Sequence, residues 1–205
     1  MIRVRTIDRE QFQDGCGRLW DLAQAGFGPQ LVVGVRSGGW WVVEAMIAAR
    51  APANVVFLPL TCRRPSSELK GESAIFRFLL RVLPYFILNI LRTVEYYLLT
   101  LPRCRAARRH GVDDQRTPDP AEIGAIRAAA RSLPADVRVL VVDDSLDSGA
   151  TLHAVIRQLR ELLPAAAELR TAAFTVLGPY PVVAADFALY QRVNCRFPWS
   201  YDFHG

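Results

Sequence analysis

Lysine and histidine are scarce in this chain of 205 residues. Lys70 is the only lysine among 25 basic residues, so the formal charge of +5 comes almost wholly from arginine. A basic protein attracts polyanions, and a phosphorylated small molecule suits such a charge as well as nucleic acid does. We do not expect nucleic acid to be the partner. The three histidines are isolated in the sequence and predict no catalytic or metal-binding cluster.

Paired cysteines are also absent, because the four cysteines are scattered and form no CxxC motif. Reduced thiols in a cytoplasmic protein are the expectation, with membrane association of one segment as an alternative. The start of the chain, "MIRVRTIDREQF", has no apolar core of a secretory signal, so none is expected. No internal repeat is present, and the hydrophobic content of 51% predicts one globular domain over residues 1–205.

Apolar runs and amphipathic segments alternate along much of the chain. This alternation predicts the α/β class, with a parallel twisted sheet of about five strands flanked by helices. The predicted strands are 29–35, 53–62, 136–144 and 168–178, with an edge strand in the tail. The predicted helices are 7–26, 41–50, 121–133 and 150–163.

The stretch "VLVVDDSLDSGATL" (139–152) places acids directly after an apolar run. Asp143 and Asp144 are predicted at the carboxyl end of a buried strand, where an open α/β sheet has its ligand crevice. The small residues that follow lead into a helix N-terminus, which favours a bound phosphate at 147–151. An N-cap role explains one polar residue here, but not the two acids as well.

Residues 139–151 resemble the signature of type I phosphoribosyltransferases that binds 5-phosphoribosyl 1-pyrophosphate (PRPP). The family pattern is four apolar residues, two acids, two mostly apolar residues, a small polar pair, glycine, any residue and threonine. The resemblance implies that Asp143 and Asp144 bind the ribose hydroxyls of PRPP, directly or through Mg²⁺. It assigns the 5′-phosphate to a loop of five residues, Asp147, Ser148, Gly149, Ala150 and Thr151.

A second motif, "VVGVRSGGWWVVEAM" (32–46), resembles the pyrophosphate loop of the same family. Gly38 and Gly39 would allow close backbone approach, and Arg36 would supply a cation near the pyrophosphate. Ser37 completes this predicted pyrophosphate-binding group. Alone, the "SGG" turn is weak evidence, since tight strand–helix turns are common, but its order before the PRPP motif strengthens the interpretation.

The nature of the acceptor base rests on Asp147. In the branch of the family that uses 6-oxopurines, an aspartate at this position is the proposed general acid/base. The resemblance therefore implies transfer of ribose 5-phosphate from PRPP to a nucleobase, with a 6-oxopurine favoured and pyrophosphate released. Trp199, in a tail that resembles the xanthine-guanine enzymes, is the predicted base-binding residue or else a core or lid aromatic.

Two departures from that branch keep an alternative function open. Asn194 stands where relatives often carry an aromatic, and 175–181 has no lysine to read the purine 6-oxo group. Arg192 or Arg196 could substitute for that lysine. The alternative is a catalytically weak regulatory protein that senses PRPP or a nucleotide, or acts bound to a partner.

The largest departure is an apolar helical insertion at about 63–120. Within it, 74–101 is strongly apolar, and its few polar residues fall on one narrow helical stripe. We consider three interpretations: a helix packed at a homo-oligomer or partner interface, an interfacial membrane helix, or a hood over the active site. The charged segment 102–120 is predicted as a loop that is either solvated, bound to an anionic partner, or closing on pyrophosphate.

Overall fold

An open, mostly parallel sheet organises the chain, in a computed structural model that describes residues 2–36, 38–50, 54–63, 80, 82–110 and 117–204. The strands are β1 (Arg3–Thr6), β2 (Leu31–Arg36), β3 (Val56–Arg63), β4 (Thr117–Pro118), β5 (Arg138–Leu146), β6 (Glu168–Val176), β7 (Phe187–Gln191) and β8 (Val193–Arg196). The helices are α1 (Arg9–Gly26), α2 (Gly38–Arg50), α3 (Tyr85–Glu95), α4 (Leu101–His110), α5 (Pro120–Arg131) and α6 (Ala150–Leu162). A π-helical turn, Tyr96–Thr100, joins α3 to α4.

The strand order of the main sheet is β4-β3-β2-β5-β6-β7. Five neighbouring strands, β3, β2, β5, β6 and β7, pair in parallel, and β4 is a short antiparallel strand at the edge beside β3. The predicted α/β sheet of about five parallel strands is therefore confirmed. A second sheet pairs β1 in parallel with β8, which joins the two ends of the chain. Sequence analysis did not predict β1, whose four residues carry two arginines.

The core has a layer on each face of the main sheet, as parallel sheets require. Residues 139–142 of β5 are all fully buried. One layer packs this sheet against α1 and α2, and its largest side chains include Trp20 and Met46. The other layer packs it against α5 and α6, through Ile126, Leu152 and Leu159. This two-sided burial fixes the position of the carboxyl ends of the strands.

The insertion between β3 and β4 is helical where the structure describes it. The loop prediction for 102–120 is wrong for residues 102–110, which belong to α4, and for residues 117–118, which form β4; residues 111–116 lie outside the described part. Alanine and arginine are good helix formers, and Pro102 falls in the first turn, where proline is tolerated. Residues 74–79 also lie outside the described part. Among the described helices, none has the length and apolarity needed to cross a membrane.

Candidate functional site

The two adjacent acids of β5 form the centre of the candidate site. Asp143 and Asp144 lie within the last part of β5, which continues to Leu146. The Asp144 backbone N–H donates to Oδ1 of Asp143 at 2.9 Å. Burial raises the pKa of both carboxyls, and the charge of Asp144 raises the pKa of Asp143 further. Two carboxylates held together with little water favour a ligand that brings hydroxyls or a cation.

The glycine turn of the second motif lies directly against these acids. A Cβ added to Gly38 would overlap the Asp144 carboxylate. One added to Gly39 would overlap the Val142 carbonyl oxygen and lie 2.8 Å from Cα of Asp143. Both glycines are therefore required by contact, and the two motifs predicted to act together are neighbours. Ser37, predicted beside them, lies outside the described residues.

Arg36 ends β2 next to this turn, and its guanidinium reaches the start of α5. Its Nε lies 3.5 Å from Oε1 of Glu122. Glu122 also accepts hydrogen bonds from the backbone N–H and the hydroxyl of Thr61. The Arg36 side chain is half exposed, so it can reorient toward an incoming anion. Sequence analysis missed Glu122, since nothing in its local pattern distinguishes it from an ordinary first-turn acid.

The loop after β5 packs against the backbone of residues 182–183. Gly149 has a left-handed φ of 77° and is the N-cap residue of α6. A Cβ there would lie 2.9 Å from the backbone N and O of Val183, so both the left-handed φ and this close contact require glycine. Ser148 lies beside it, and its backbone carbonyl accepts a hydrogen bond from the Val182 N–H at 2.8 Å. Ala150 and Thr151 begin α6, whose N-terminus carries partial positive charge.

A cavity of about 770 Å³ extends from the acids toward the tail and the insertion. Asp144, Asp147 and Trp199 all line it, so the structure brings together the predicted ribose-binding, catalytic and base-binding residues. Asp147 is exposed. The Trp199 ring stacks on Phe197 at 4.7 Å between centroids and meets Phe12 edge-on at 4.9 Å. Trp199 is thus both part of an aromatic cluster and a wall of the cavity.

Comparison with known proteins shows what this arrangement is similar to. A family model described as a phosphoribosyl transferase domain matches residues 86–180. Residues 86–180 are thus similar to a phosphoribosyl transferase domain. No curated protein matches the chain.

Solved structures share this fold at low sequence identity. A purine phosphoribosyltransferase from Pyrococcus horikoshii is 15% identical, with 97% of this chain and 95% of that chain covered and a TM-score of 0.55. A xanthine-guanine-hypoxanthine phosphoribosyltransferase from Helicobacter pylori is 13% identical, with 97% and 93% covered and a TM-score of 0.55. A hypothetical protein from Neisseria gonorrhoeae, with bound ppGpp, is 13% identical, with 97% and 90% covered and the same TM-score. These similarities show the type I phosphoribosyltransferase fold.

A buried ionic cluster that sequence analysis missed lies beside the cavity. Arg92 of α3 donates from Nε and Nη2 to the two carboxylate oxygens of Asp202, at 2.8 and 2.7 Å. Arg196, fully buried, donates to Asp202 from its own Nε at 2.8 Å. Burial opposes ionisation of Asp202, but the two arginines outweigh it and lower its pKa to about 2. The insertion is thereby fastened to the tail beside the cavity.

The same cluster bears on whether Arg192 or Arg196 is available to bind a nucleobase. Arg196 also donates to Thr6 and Asn89, so the guanidinium is engaged within the fold. The alternative in which Arg196 reads a purine is therefore wrong. Asn194 accepts a hydrogen bond from Nη1 of Arg92 at 2.9 Å. Arg192 is exposed, has a φ of 58°, and lines a different pocket from the acids.

The insertion forms the wall of the cavity opposite the acids. Leu88 and Arg92 of α3 and Tyr96 of the π-helical turn all line it. The structure thus supports the third of the three interpretations for 74–101, a hood over the site. The other two concern the outer side of the same helix.

Within the described residues, the acid pair is the part of the site best suited to a metal. No group of three or more His, Cys, Asp or Glu side chains in that part of the chain is placed to hold a metal ion. Mg²⁺ often takes only one or two protein carboxylates and completes its shell with water and substrate phosphates. The close pair Asp143–Asp144 fits that role, because a divalent cation would offset the burial that raises the pKa of both carboxyls and the charge of Asp144 that raises the pKa of Asp143 further.

Proposed function

We propose that this protein is a PRPP-dependent phosphoribosyltransferase that transfers ribose 5-phosphate to a nucleobase and releases pyrophosphate. The observation that carries the proposal is the direct contact of the Gly38–Gly39 turn with the Asp143–Asp144 pair. That contact supports a site in which the proposed pyrophosphate-binding glycines and the proposed ribose-binding acids act together. PRPP carries ribose hydroxyls close to its pyrophosphate, so a protein that binds it needs both kinds of group at one place.

Ribose binding is assigned to Asp143 and Asp144, which would accept hydrogen bonds from the 2′- and 3′-hydroxyls. Mg²⁺, when bound, neutralises charge on the pyrophosphate leaving group. The same two carboxylates would hold it, together with PRPP oxygens. Burial is the main reason that the pKa of both carboxyls is raised, and the charge of Asp144 adds to it at Asp143.

Phosphate and pyrophosphate binding are assigned to the two loops. Residues 147–151 would hold the 5′-phosphate by backbone N–H groups at the α6 N-terminus and by the hydroxyls of Ser148 and Thr151. Gly38 and Gly39 would let the backbone approach the pyrophosphate, with Ser37 and Arg36 beside them. Arg36 must exchange Glu122 for the leaving group as PRPP binds, which its half-exposed position allows.

Proton transfer is assigned to Asp147. A nitrogen of the base attacks C1 of the ribose, the bond from C1 to the pyrophosphate oxygen breaks, and pyrophosphate leaves with the electron pair. Asp147 would take the proton that the attacking nitrogen must lose. Its position in the cavity with Trp199 supports a planar acceptor lying against that indole, with a 6-oxopurine as the proposed substrate.

A second candidate is a regulatory protein that binds PRPP or a nucleotide without efficient turnover. Three observations favour it. Arg36 is paired with Glu122, and Asn194, where relatives often carry an aromatic, is engaged by Arg92. In addition, 175–181 offers no lysine to a 6-oxo group.

A turnover assay separates the two candidates. The purified chain is incubated with PRPP, Mg²⁺ and one base at a time from guanine, hypoxanthine, xanthine, adenine, orotate and uracil, and pyrophosphate is measured. We expect release with a 6-oxopurine and a loss of about 10²–10⁴ in kcat for Asp147→Ala. Asp14→Ala, an exposed acid on α1, is the matched control and should leave the rate unchanged.

Calorimetry with PRPP alone completes the test. Binding of PRPP without pyrophosphate release across the panel would refute the enzyme and support the regulator. Absence of both PRPP binding and turnover would refute the enzyme and the form of the regulator that senses PRPP.

A further inference from the structure

Helix α3 and the turn that follows it are apolar on the outside and polar on the inside. Eight of the thirteen large apolar side chains exposed in the described part lie between residues 82 and 99. We call them the outer stripe, and they are Val82, Phe86, Ile90, Leu91, Val94, Tyr97, Leu98 and Leu99. Phe86 is 66% exposed and Leu98 is 68% exposed, so these are not edges of the core. Some members, such as Leu98, also border the cavity, whereas Phe86 and Ile90 do not.

The side of α3 that faces the fold carries the polar groups. Asn89 and Arg92 hydrogen-bond to the tail, and the Tyr85 hydroxyl donates to the His204 carbonyl at 2.7 Å. This is the reverse of the usual surface helix, whose polar face meets water. Contiguous exposed apolar surface of this kind marks an interaction site.

Positive charge flanks the outer stripe at both ends. After it, α4 presents four exposed arginines, and no acid occurs from residue 96 to residue 110. They are Arg103, Arg105, Arg108 and Arg109. Before it, the sequence carries Arg77 and Arg81, which lie outside the described residues.

We infer that the outer stripe docks on an anionic lipid surface. A second copy of the chain fits less well, because pairing two stripes in parallel or antiparallel brings arginine-rich ends together, and like charges repel. A negatively charged membrane complements both ends and accepts the apolar residues between them. Since no described helix can cross a bilayer, the contact is interfacial. The inference does not depend on the proposed catalytic activity.

Vesicle flotation with the purified full chain tests the inference. Vesicles of phosphatidylcholine are compared with vesicles that also contain phosphatidylglycerol. We expect binding to the anionic vesicles only, weakened by raised salt, since exposed charges are screened. No turnover is needed for this readout, so its failure and the failure of the proposed enzyme are distinguishable.

Two double variants and one control separate the apolar and charged contributions. Phe86→Ser with Ile90→Ser should weaken vesicle binding by about tenfold or more. Arg103→Gln with Arg109→Gln should weaken vesicle binding about 30-fold, because each arginine near an anionic surface strengthens binding by a factor of roughly five to six. Leu22→Ser with Arg18→Gln makes the same kinds of change on the exposed face of α1 and should bind as the unaltered chain does.

Three outcomes would overturn the inference. The first is no flotation of the unaltered chain with anionic vesicles, or an equal loss in the α1 control. The second is a dimer in sedimentation that the Phe86–Ile90 variant converts to a monomer, without vesicle binding, which assigns the stripe to a second copy. The third is a lowered melting temperature of that variant when the unaltered chain does not bind vesicles. That result would mean that the stripe packs against other residues of the same chain.

Discussion

Replacing Asp202 with asparagine removes the carboxylate that Arg92 and Arg196 share. The pKa of Asp202 is lowered from 3.8 to about 2, and the difference corresponds to roughly 2 kcal/mol of stability at neutral pH. The variant also leaves two largely buried guanidinium groups facing a neutral side chain, and breaking a buried ion pair costs about 3–5 kcal/mol. We therefore expect Asp202→Asn to lower the free energy of unfolding by about 3 kcal/mol in urea titrations.

The pH dependence of the free energy of unfolding is a second test of the role of Asp202. Because the folded-state pKa is depressed, the stabilisation is present above about pH 4 and is lost as the pH falls toward 2. The unaltered chain should lose this stability over that range, whereas Asp202→Asn should lack that part of the slope.

Asp21→Asn is the matched control for Asp202→Asn. Asp21 pairs with Arg50 through side chains that are 45% and 61% exposed, so its loss should cost less than about 1 kcal/mol. Equal losses of stability in the two variants, or identical acid slopes for the unaltered chain and Asp202→Asn, would refute the reasoning.

Three substitutions at the site test its packing and its charge. Gly39→Ala should destabilise the fold by about 3 kcal/mol or more, because the new Cβ meets the backbone of β5. The control Gly124→Ala has open space around it in α5 and should stabilise the fold by about 1 kcal/mol. Equal shifts in the melting temperatures of the two variants would contradict this prediction. Asp143→Asn should raise the free energy of unfolding at pH 7 by about 1 kcal/mol while abolishing turnover. The raised pKa means that the native state loses stability as the pH rises above about 3.8, so a variant less stable than the parent at pH 7 would be evidence against it. Gly149→Ala should raise the KM for PRPP, since a left-handed residue in contact with Val183 shapes the phosphate loop; an unchanged KM would remove that loop from the proposed site.

The sheet and the contact between its two motifs could be predicted because their signals are local. A run such as "VLVV" followed by two acids indicates a buried strand and its carboxyl end, and the glycine pair indicates a close approach. The structure extends β5 two residues past the predicted end, to Leu146, so the acids lie inside the strand rather than at its last two positions. That difference is within the usual uncertainty of strand ends.

The attachment of the insertion could not be predicted, because it joins residues about a hundred positions apart. Arg92 and Asp202 are 110 positions apart, and no periodicity in either segment signals their contact. Helix α4 was missed for a different reason. Its arginines and Pro102 favour a loop when charge is weighed above helix propensity, and the alanines between them were the signal to the contrary.

The insertion has two faces with separable roles. Its inner face, through Arg92, holds the tail and walls the cavity, so changes there should alter stability and the proposed chemistry. Its outer face carries Phe86 and Ile90, which line no part of that cavity, so changes there should alter docking and leave turnover intact. A helix with polar groups turned inward and apolar groups turned outward is costly in water. That cost is offset if the same helix closes the site on one side and meets lipid on the other.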